Sequence, residues 1–246
     1  MVKIAALAVW AAMLAAAERV RPSAPRPAGE ARLISNLGFW LCNAALNPLL
    51  TLPIAAAAAG FNPWSRPDFG WSGFVFDLIV LDLWAWAWHM ANHRVALLWR
   101  FHEVHHRDAF LDVTSAVRFH PGEVVISALA RVPLIVALDI PFASILVFDA
   151  LLTASALFHH SNVRLPARGE ALLRSIVVTP SHHWVHHHAR QPDTDSNYGV
   201  LLTLWDRVFR TWSPTDRTPH MDIGVEGART DLPLLRLVTR PFVARG

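Results

Sequence analysis

Histidines are concentrated in three stretches of this chain. Of its fourteen histidines, all but His120 and His220 lie in these stretches. The members are His89 and His93, then His102, His105 and His106, and finally His159, His160, His182, His183, His186, His187 and His188. So many neutral imidazoles in so few places indicate ligands for more than one transition-metal ion.

The spacing within these stretches is that of one helical face. Histidines 89 and 93 are four residues apart, and the boxes that begin at His102 and His183 both read HxxHH, with rings at i, i+3 and i+4. One such box alone is as often structural as functional. Three together favour a metal site, because burying many titratable rings without a metal or an acidic partner costs desolvation free energy for each ring. The single Cys42 excludes a disulfide framework and a cysteine-ligated cluster, so the ligands must be nitrogen and oxygen.

The composition is that of a membrane protein. Of the 246 residues, 53% are hydrophobic and only 17% are charged. Leu33–Gly60 and Trp71–Trp88 are long enough to span a bilayer, and Val124–Leu138 with Phe142–Phe158 form a predicted hairpin that turns at residues 139–141. We expect Met1–Ala17 to be a retained anchor helix, with a cleaved secretory signal as the alternative, so four or five spans are predicted.

Arginines predict the topology. They flank the spans in two groups, which are Arg19, Arg21, Arg26 and Arg32, and Arg94, Arg100, Arg107 and Arg118. The loop Phe61–Gly70 contains only Arg66. The positive-inside rule therefore places both arginine groups, and with them every histidine box, in the cytoplasm. The predicted fold is all-α, a multi-span transmembrane helical bundle with a cytoplasmic-face helical cap that carries the histidine boxes.

Other polar features have plainer interpretations. The net charge of +3 comes from arginines dispersed along membrane-flanking loops, so it indicates contact with anionic lipid and no nucleic-acid partner. Asp82 shares a helical face with His89 and His93, and Asp149 shares one with His160. We expect each aspartate to hydrogen-bond to a neighbouring helix, and orientation of a ligand imidazole is the alternative.

From about Asp82 to Trp212, the chain resembles the fatty acid hydroxylase/sterol desaturase superfamily of membrane di-iron proteins. Several motifs carry the resemblance in the right order. They are His89-x3-His93, LWRFHEVHH at 98–106, DVT at 112–114, RFHPGE at 118–123, HSN at 160–162, LP at 165–166, TP at 179–180, His183-x2-His186-His187, DSNYG at 195–199 and WDRVF at 205–209. One departure is Phe209-Arg210-Thr211, where the family usually has Phe-Gly-Thr, and this puts the local turn in question.

The resemblance implies the metal ligands. The eight histidines of the family pattern are His89, His93, His102, His105, His106, His183, His186 and His187. His160 matches a further family histidine and is taken as a ligand, and His120 is taken as an additional candidate. His159, His182 and His188 adjoin the motif and are expected beside the ligands or at the surface, whereas His220 is expected to be solvated. The implied cofactors are two iron ions, with dioxygen as co-substrate.

The resemblance also implies the reaction, which is hydroxylation or desaturation of an unactivated C–H bond in a lipid that enters from the bilayer. We favour hydroxylation. Sterols, fatty acyl chains, ether lipids and carotenoids stay open as substrates. The chain has no dinucleotide fingerprint, so a separate electron donor is expected, which is a reductase, a ferredoxin or a cytochrome. The expected location is the bacterial inner membrane, with the active site on the cytoplasmic face.

These inferences divide the chain into three parts, which are N-terminal transmembrane anchor segments at 1–70, a fatty-acid-hydroxylase-type catalytic domain at 71–212 and a polar C-terminal tail at 213–246. Two other functions stay open. One is a membrane metal-binding or transport protein without oxygenase activity, which would need ligands at the bilayer midplane. The other is a catalytically inactive relative that binds structural zinc.

Overall fold

The chain is built from helices, as its sequence predicts. The computed structural model describes residues 2–27, 31–228 and 232–243, and within these ranges it contains α-helices, short turns and isolated bridges but no β-strand. The α-helices of these ranges are α1 (Val2–Val20), α2 (Ala31–Leu46), α3 (Leu52–Gly60), α4 (Gly70–Arg94), α5 (Ala96–His106), α6 (Pro121–Leu138), α7 (Phe142–His160), α8 (Ala167–Arg174), α9 (Pro180–His186), α10 (Gln191–Thr194), α11 (Leu204–Val208) and α12 (Leu234–Thr239).

Four helical segments in these ranges are long and apolar enough to cross a membrane. They are Ala31–Gly60, α4, α6 and α7, which confirms the four spans predicted after the first segment. The first runs through α2 and α3 without a break, although it contains Pro48 and Pro53. A π-helical turn over Asn47–Thr51 joins the two helices and accommodates the hydrogen bonds that proline cannot make. Most side chains of this segment and of α6 face outward, as expected for helices in contact with lipid.

Helices α6 and α7 form the predicted hairpin. Asp139 adopts the left-handed conformation, with φ of 48°, and Pro141 precedes the first turn of α7. Arg131 of α6 donates to Asp149 of α7 at 2.7 Å. The prediction that Asp149 pairs with a neighbouring helix is therefore confirmed, and the ion pair offsets the cost of two charges within the span.

Helix α1 packs along α7 in the same direction. The indole Nε1 of Trp10 donates to the carbonyl of Ala154 at 3.0 Å, and the Glu18 carboxylate accepts from the amide of Asn162 at 2.8 Å. Helix α1 contains three charged residues, Lys3, Glu18 and Arg19, and is not among the four candidate spans.

All the histidine boxes lie at one end of the bundle, which we call the histidine end. Helices α4 and α7 end there, and α2 and α6 begin there. The cap, consisting of α5, α8 to α11 and their connecting loops, covers this end. The loops at the opposite end contact each other, because the amide of Arg66 donates to Asp139 at 3.0 Å.

Buried ion pairs attach the cap to the first span. Arg32 of α2 donates to Asp108 at 2.8 Å and to Asp112 at 2.7 Å, in the loop that follows α5. Burial alone would raise the pKa of Asp108, but Arg32 and Arg118 outweigh it and hold that pKa below its ordinary value. The acid is therefore charged at neutral pH, and its bidentate contact with a planar guanidinium is directional and strong.

The last helix closes the same region. Leu237 of α12 is fully buried against Phe39 of α2 and Val104 of α5. Arg240, just after α12, donates to Glu103 of α5 at 3.1 Å. Part of the predicted polar tail thus packs against helix α5, which carries three of the histidines.

The end of α11 contains the departure from the family motif. Arg210 has a positive φ of 58°, its amide donates to the carbonyl of Arg207, and the amide of Thr211 donates to the carbonyl of Asp206. This is the Schellman arrangement, in which the residue after the cap usually is glycine. The turn that the family makes with glycine is kept here, and an arginine in left-handed backbone takes that position.

We expect Arg210→Gly to stabilise the protein by about 1 kcal/mol, because a side chain raises the free energy of the left-handed conformation. The midpoint of thermal unfolding in detergent should then rise by about 2–4 °C. Arg210→Ala is the matched control, since it removes the guanidinium and keeps the Cβ atom. An equal gain in both variants would show that the charge, and not the backbone, is responsible.

Candidate metal centre

Four helices bring nine histidine rings together at the histidine end. The rings form two groups, and within each group one ligand nitrogen from every ring lies within 4.8 Å of the others. The five-histidine group is His89, His93, His102, His106 and His186, and the four-histidine group is His105, His160, His183 and His187. Each group has the size and the donor set of a site for one transition-metal ion.

Helical spacing divides the boxes between the two groups. On α5, His102 and His106 are four residues apart and belong to the five-histidine group, whereas His105 belongs to the other. The second box shows the reverse. His183 of α9 and His187, just after α9, are four residues apart and belong to the four-histidine group, whereas His186 belongs to the five-histidine group. Both HxxHH boxes therefore supply ligands to both groups, and the groups adjoin.

Backbone and carboxylate oxygens orient five of the rings. Each of these rings has its Nδ1 within hydrogen-bonding distance of a backbone carbonyl oxygen or, for His102, of the Glu123 carboxyl group. The pairs are His89 with Tyr198 O at 2.9 Å, His102 with Glu123 Oε1 at 2.7 Å, His105 with Arg118 O at 3.2 Å, His160 with Ala156 O at 2.7 Å and His186 with Ser196 O at 2.7 Å. A carbonyl oxygen only accepts, so Nδ1 carries the proton and Nε2 presents a lone pair, the tautomer that binds metal through Nε2.

The four-histidine group fits a metal ion. The Nε2 atoms of His105 and His160 are 3.1 Å apart, that of His160 is 3.0 Å from His183, and that of His183 is 3.1 Å from His187. Because His105 and His160 both hold their protons on Nδ1, their facing Nε2 atoms both present lone pairs, which repel each other unless a cation lies between them. Two nitrogens about 2.1 Å from one ion and at right angles to each other are about 3.0 Å apart.

The five-histidine group fits an ion as well. The Nε2 atoms of His93, His102, His106 and His186 are buried and have no hydrogen-bond partner in the described part of the chain. Buried polar atoms without a partner are rare in proteins, because each one loses its hydration without compensation. A shared cation satisfies all four atoms at once.

Five of the rings outside the spans are neutral. Burial is the largest cause that lowers the pKa values of His105, His106, His183, His186 and His187 well below the usual range, and neighbouring histidines lower them further. A protonated imidazole cannot bind a metal ion. These five rings therefore keep their lone pairs at neutral pH, and protons compete weakly with a metal for them.

His120 lies outside both groups. Its Nδ1 accepts from the amide of Gly122 at 2.9 Å, and its Nε2 is 3.0 Å from the carbonyl of Val238. The side chain caps the first turn of α6, and both ring nitrogens are occupied. The structure thus brings together nine of the ten predicted ligands, and His120 has no free lone pair for an ion.

The remaining histidines have other partners. His182 contacts Asp206 at 2.9 Å and His188 contacts Asp193 at 2.8 Å. His159 is buried, and its ring centroid lies 4.0 Å from that of His183. His220 is exposed.

Asp206 supports the centre, a role that sequence reasoning did not assign to it. The fully buried carboxylate accepts from the indole of Trp86, the amides of Tyr198 and Gly199, the ring of His182 and the hydroxyl of Thr211, at 2.7–3.0 Å. It thereby joins α4 and α9 to the loop at 195–199, whose Ser196 carbonyl contacts the ring of His186. Its place in the WDRVF motif was the available signal.

Asp82 accepts from Trp205 at 2.8 Å and from the amide of Leu202, which confirms a bond to another element.

Known proteins resemble this chain over the region that contains both histidine groups. The sequence model of a protein family described as fatty acid hydroxylase matches residues 74–211, more than half of the chain. The chain is 28% identical over 202 residues to an ornithine lipid hydroxylase, OlsE, of Rhizobium tropici, which covers 81% of this chain and 60% of the relative. It is 31% identical over 156 residues to the alkylglycerol monooxygenase of Homo sapiens, which covers 62% of this chain and 32% of the relative. The enzyme of the same name from Danio rerio is 30% identical over 155 residues.

The chain thus spans about 60% of the length of the first relative and about a third of the length of the other two. No solved structure matches the chain.

The two groups predict a metal stoichiometry. We expect two transition-metal ions per chain, measured by elemental analysis of the purified protein. His93→Ala in the five-histidine group and His183→Ala in the four-histidine group should each lower the content toward one ion, whereas His120→Ala should keep both. Equal loss from all three variants would contradict the division into two groups.

Glu123 predicts a graded effect on affinity. Glu123→Ala leaves the Nδ1–H of His102 without its carboxylate, and loss of such a partner lowers metal affinity by about 10–100-fold. Glu123→Gln keeps an acceptor oxygen and should lose less. Competition with a chelator measures both variants, and an unchanged affinity in Glu123→Ala would show that this contact is dispensable.

Proposed function

The chain belongs to the fatty acid hydroxylase family, and we propose that it is a membrane oxygenase that hydroxylates a C–H bond of a lipid with two iron ions and dioxygen. The observation that carries the proposal is the pair of adjoining all-imidazole groups at one end of a membrane bundle. In this proposal, segments 1–70 anchor the protein, residues 71–212 are catalytic and residues 213–246 form a C-terminal extension.

The donor set supports a redox pair of metal ions. The two groups adjoin closely, since the rings of His106 and His187, one from each group, stack with centroids 4.2 Å apart. When bound there, a pair of iron ions would supply the oxygen-activating chemistry that hydroxylation of a C–H bond requires. Neutral imidazole nitrogens suit this use because they are good ligands for iron.

The chain's own residues hold and shield the centre. Carbonyl oxygens such as those of Tyr198 and Ser196 keep Nε2 of the ligands free of protons. Eight of the nine rings belong to buried residues, and the His93 side chain, the ninth, is 1% exposed. Exclusion of water protects a reactive oxidant from side reactions, so we assign this role to the packed cap. No side chain acts as a nucleophile.

The reaction needs reducing equivalents from outside the chain. Hydroxylation combines a C–H bond and dioxygen with two electrons and two protons, and it yields an alcohol and one water. We assign the electrons to a separate reductase, ferredoxin or cytochrome. Exposed arginines at the histidine end, such as Arg94 and Arg100, would attract an acidic donor.

The substrate is proposed to be a membrane lipid. The relatives are named as enzymes that hydroxylate ornithine lipid or oxygenate alkylglycerol, which favours hydroxylation over desaturation. We also propose that the protein lies in a bacterial inner membrane with its cap in the cytoplasm, which the arginines beside the spans and the bacterial relative support.

A transport function has less support. Transporters bind their substrate near the bilayer midplane. Both histidine groups instead lie where α4, α5 and α7 end, beside the first turn of α6.

Lipid mass spectrometry under ¹⁸O₂ tests the proposal. Cells that express the protein should contain a lipid heavier by one ¹⁸O atom, which His105→Ala cells should lack. His220→Ala, a change of an exposed histidine, is the matched control and should keep the product.

Other results have distinct meanings. Loss of two hydrogens in place of oxygen gain would identify a desaturase. An unchanged lipid profile, together with two bound ions and supplied reductant, would favour a metal-binding protein, and bound zinc in place of iron would favour the inactive relative.

A further inference from the structure

The cap carries an apolar surface that the rest of the described chain leaves uncovered. Its members, which we call the α8–α11 face, are Leu172, Leu173, Ile176, Leu204, Val208 and Phe209. Leu172 is 70% exposed, Ile176 is 61% exposed and Val208 is 57% exposed. A cluster of large exposed apolar residues on a soluble surface would be a liability, so such a patch marks a surface that contacts something apolar.

The two parts of this face are held together by the backbone. The amide of Thr203 donates to Ile176 at 3.1 Å, and the amide of Val178 donates to Leu201 at 3.0 Å. The Arg207 guanidinium then donates to the carbonyls of Ser175 and Arg174, at the end of α8. The apolar side chains of α8 and α11 therefore belong to one rigid surface.

Contacts with α4 locate this surface along a spanning helix. The indole of Trp205 donates to Asp82 at 2.8 Å, and the ring of Phe209 stacks on Trp86 with centroids 4.4 Å apart. Asp82 and Trp86 precede His89 by seven and three residues, which places them about 10 Å and about 5 Å from His89 along α4, toward the middle of the bilayer. The face thus lies closer to the middle of the bilayer than the histidines do.

Arginines border the face. Arg168 and Arg210 are exposed, and the guanidinium groups of Arg174 and Arg207 lie over the ring of Trp212. An apolar patch with a basic border, continuous with the lipid-facing surface of a spanning helix, matches the pattern of segments that lie in the membrane interface.

We propose that the α8–α11 face is inserted into the acyl boundary of the leaflet at the histidine end, with the bordering arginines on its anionic headgroups. The cap is then partly immersed in the membrane and does not stand above it in water. This inference concerns the position of the cap, and it stands whether or not the protein is an oxygenase.

Site-specific fluorescence quenching in nanodiscs tests the proposal. Cys42 is the one cysteine of the chain and is exposed on α2, so a label there is the lipid-embedded reference. In a Cys42→Ser background, Leu173→Cys and Val208→Cys report on the face, and His220→Cys is the aqueous reference. Each label is exposed to lipids brominated near the headgroup, to lipids brominated near the terminal methyl, and to iodide in the water.

The expected result is several-fold stronger quenching of the two face labels than of the His220→Cys label by lipids brominated near the headgroup. Iodide should quench only the His220→Cys label strongly, and Cys42 should respond most to the deeper bromines. Strong iodide quenching of the face labels would overturn the proposal. Protection from all three quenchers would overturn it too, because it would mean that a protein surface covers the face.

Discussion

Nine imidazoles share one buried space at the end of this bundle, and the cost of removing them from water governs the rest of the structure. Their nitrogens face one another at about hydrogen-bond length, and protons cannot satisfy all of them. Burial also keeps five of the rings outside the spans neutral. Cations within the two groups would turn this repulsion into favourable binding, and folding of the cap and metal binding would then be coupled.

The ligand helices depend on acids elsewhere in the chain. Helix α5 has eleven residues and α9 has seven, too few for stability in isolation. Asp108 binds Arg32 of the first span, and Asp206 joins α4 to the segment after α9. Each carboxylate is buried with several donors, which offsets its desolvation. The precision of the metal centre therefore comes from polar contacts that lie outside it.

The membrane sets the second constraint. The ends of the four spans that carry or adjoin the histidines lie on the same side of the bundle. The apolar α8–α11 face packs beside α4, between the metal centre and the middle of the bilayer. In the proposed function, a centre at this depth would be close to lipid carbons and still accessible from the water to a protein electron donor. The same placement accounts for an exposed surface that combines leucines with arginines.

Histidine spacing and hydrophobic length are local properties, so the sequence alone determined the all-α class, the four spans, the hairpin at Asp139 and the family. It also indicated which histidines are candidates for ligands. Only the tertiary structure divided nine of them into groups of five and four and left His120 as a helix cap, because ring orientation depends on Nδ1 partners that are often distant in sequence. The sequence alone did not reveal the supporting roles of Glu123 and Asp206 either, because these roles depend on hydrogen-bond partners that come together only when the chain folds.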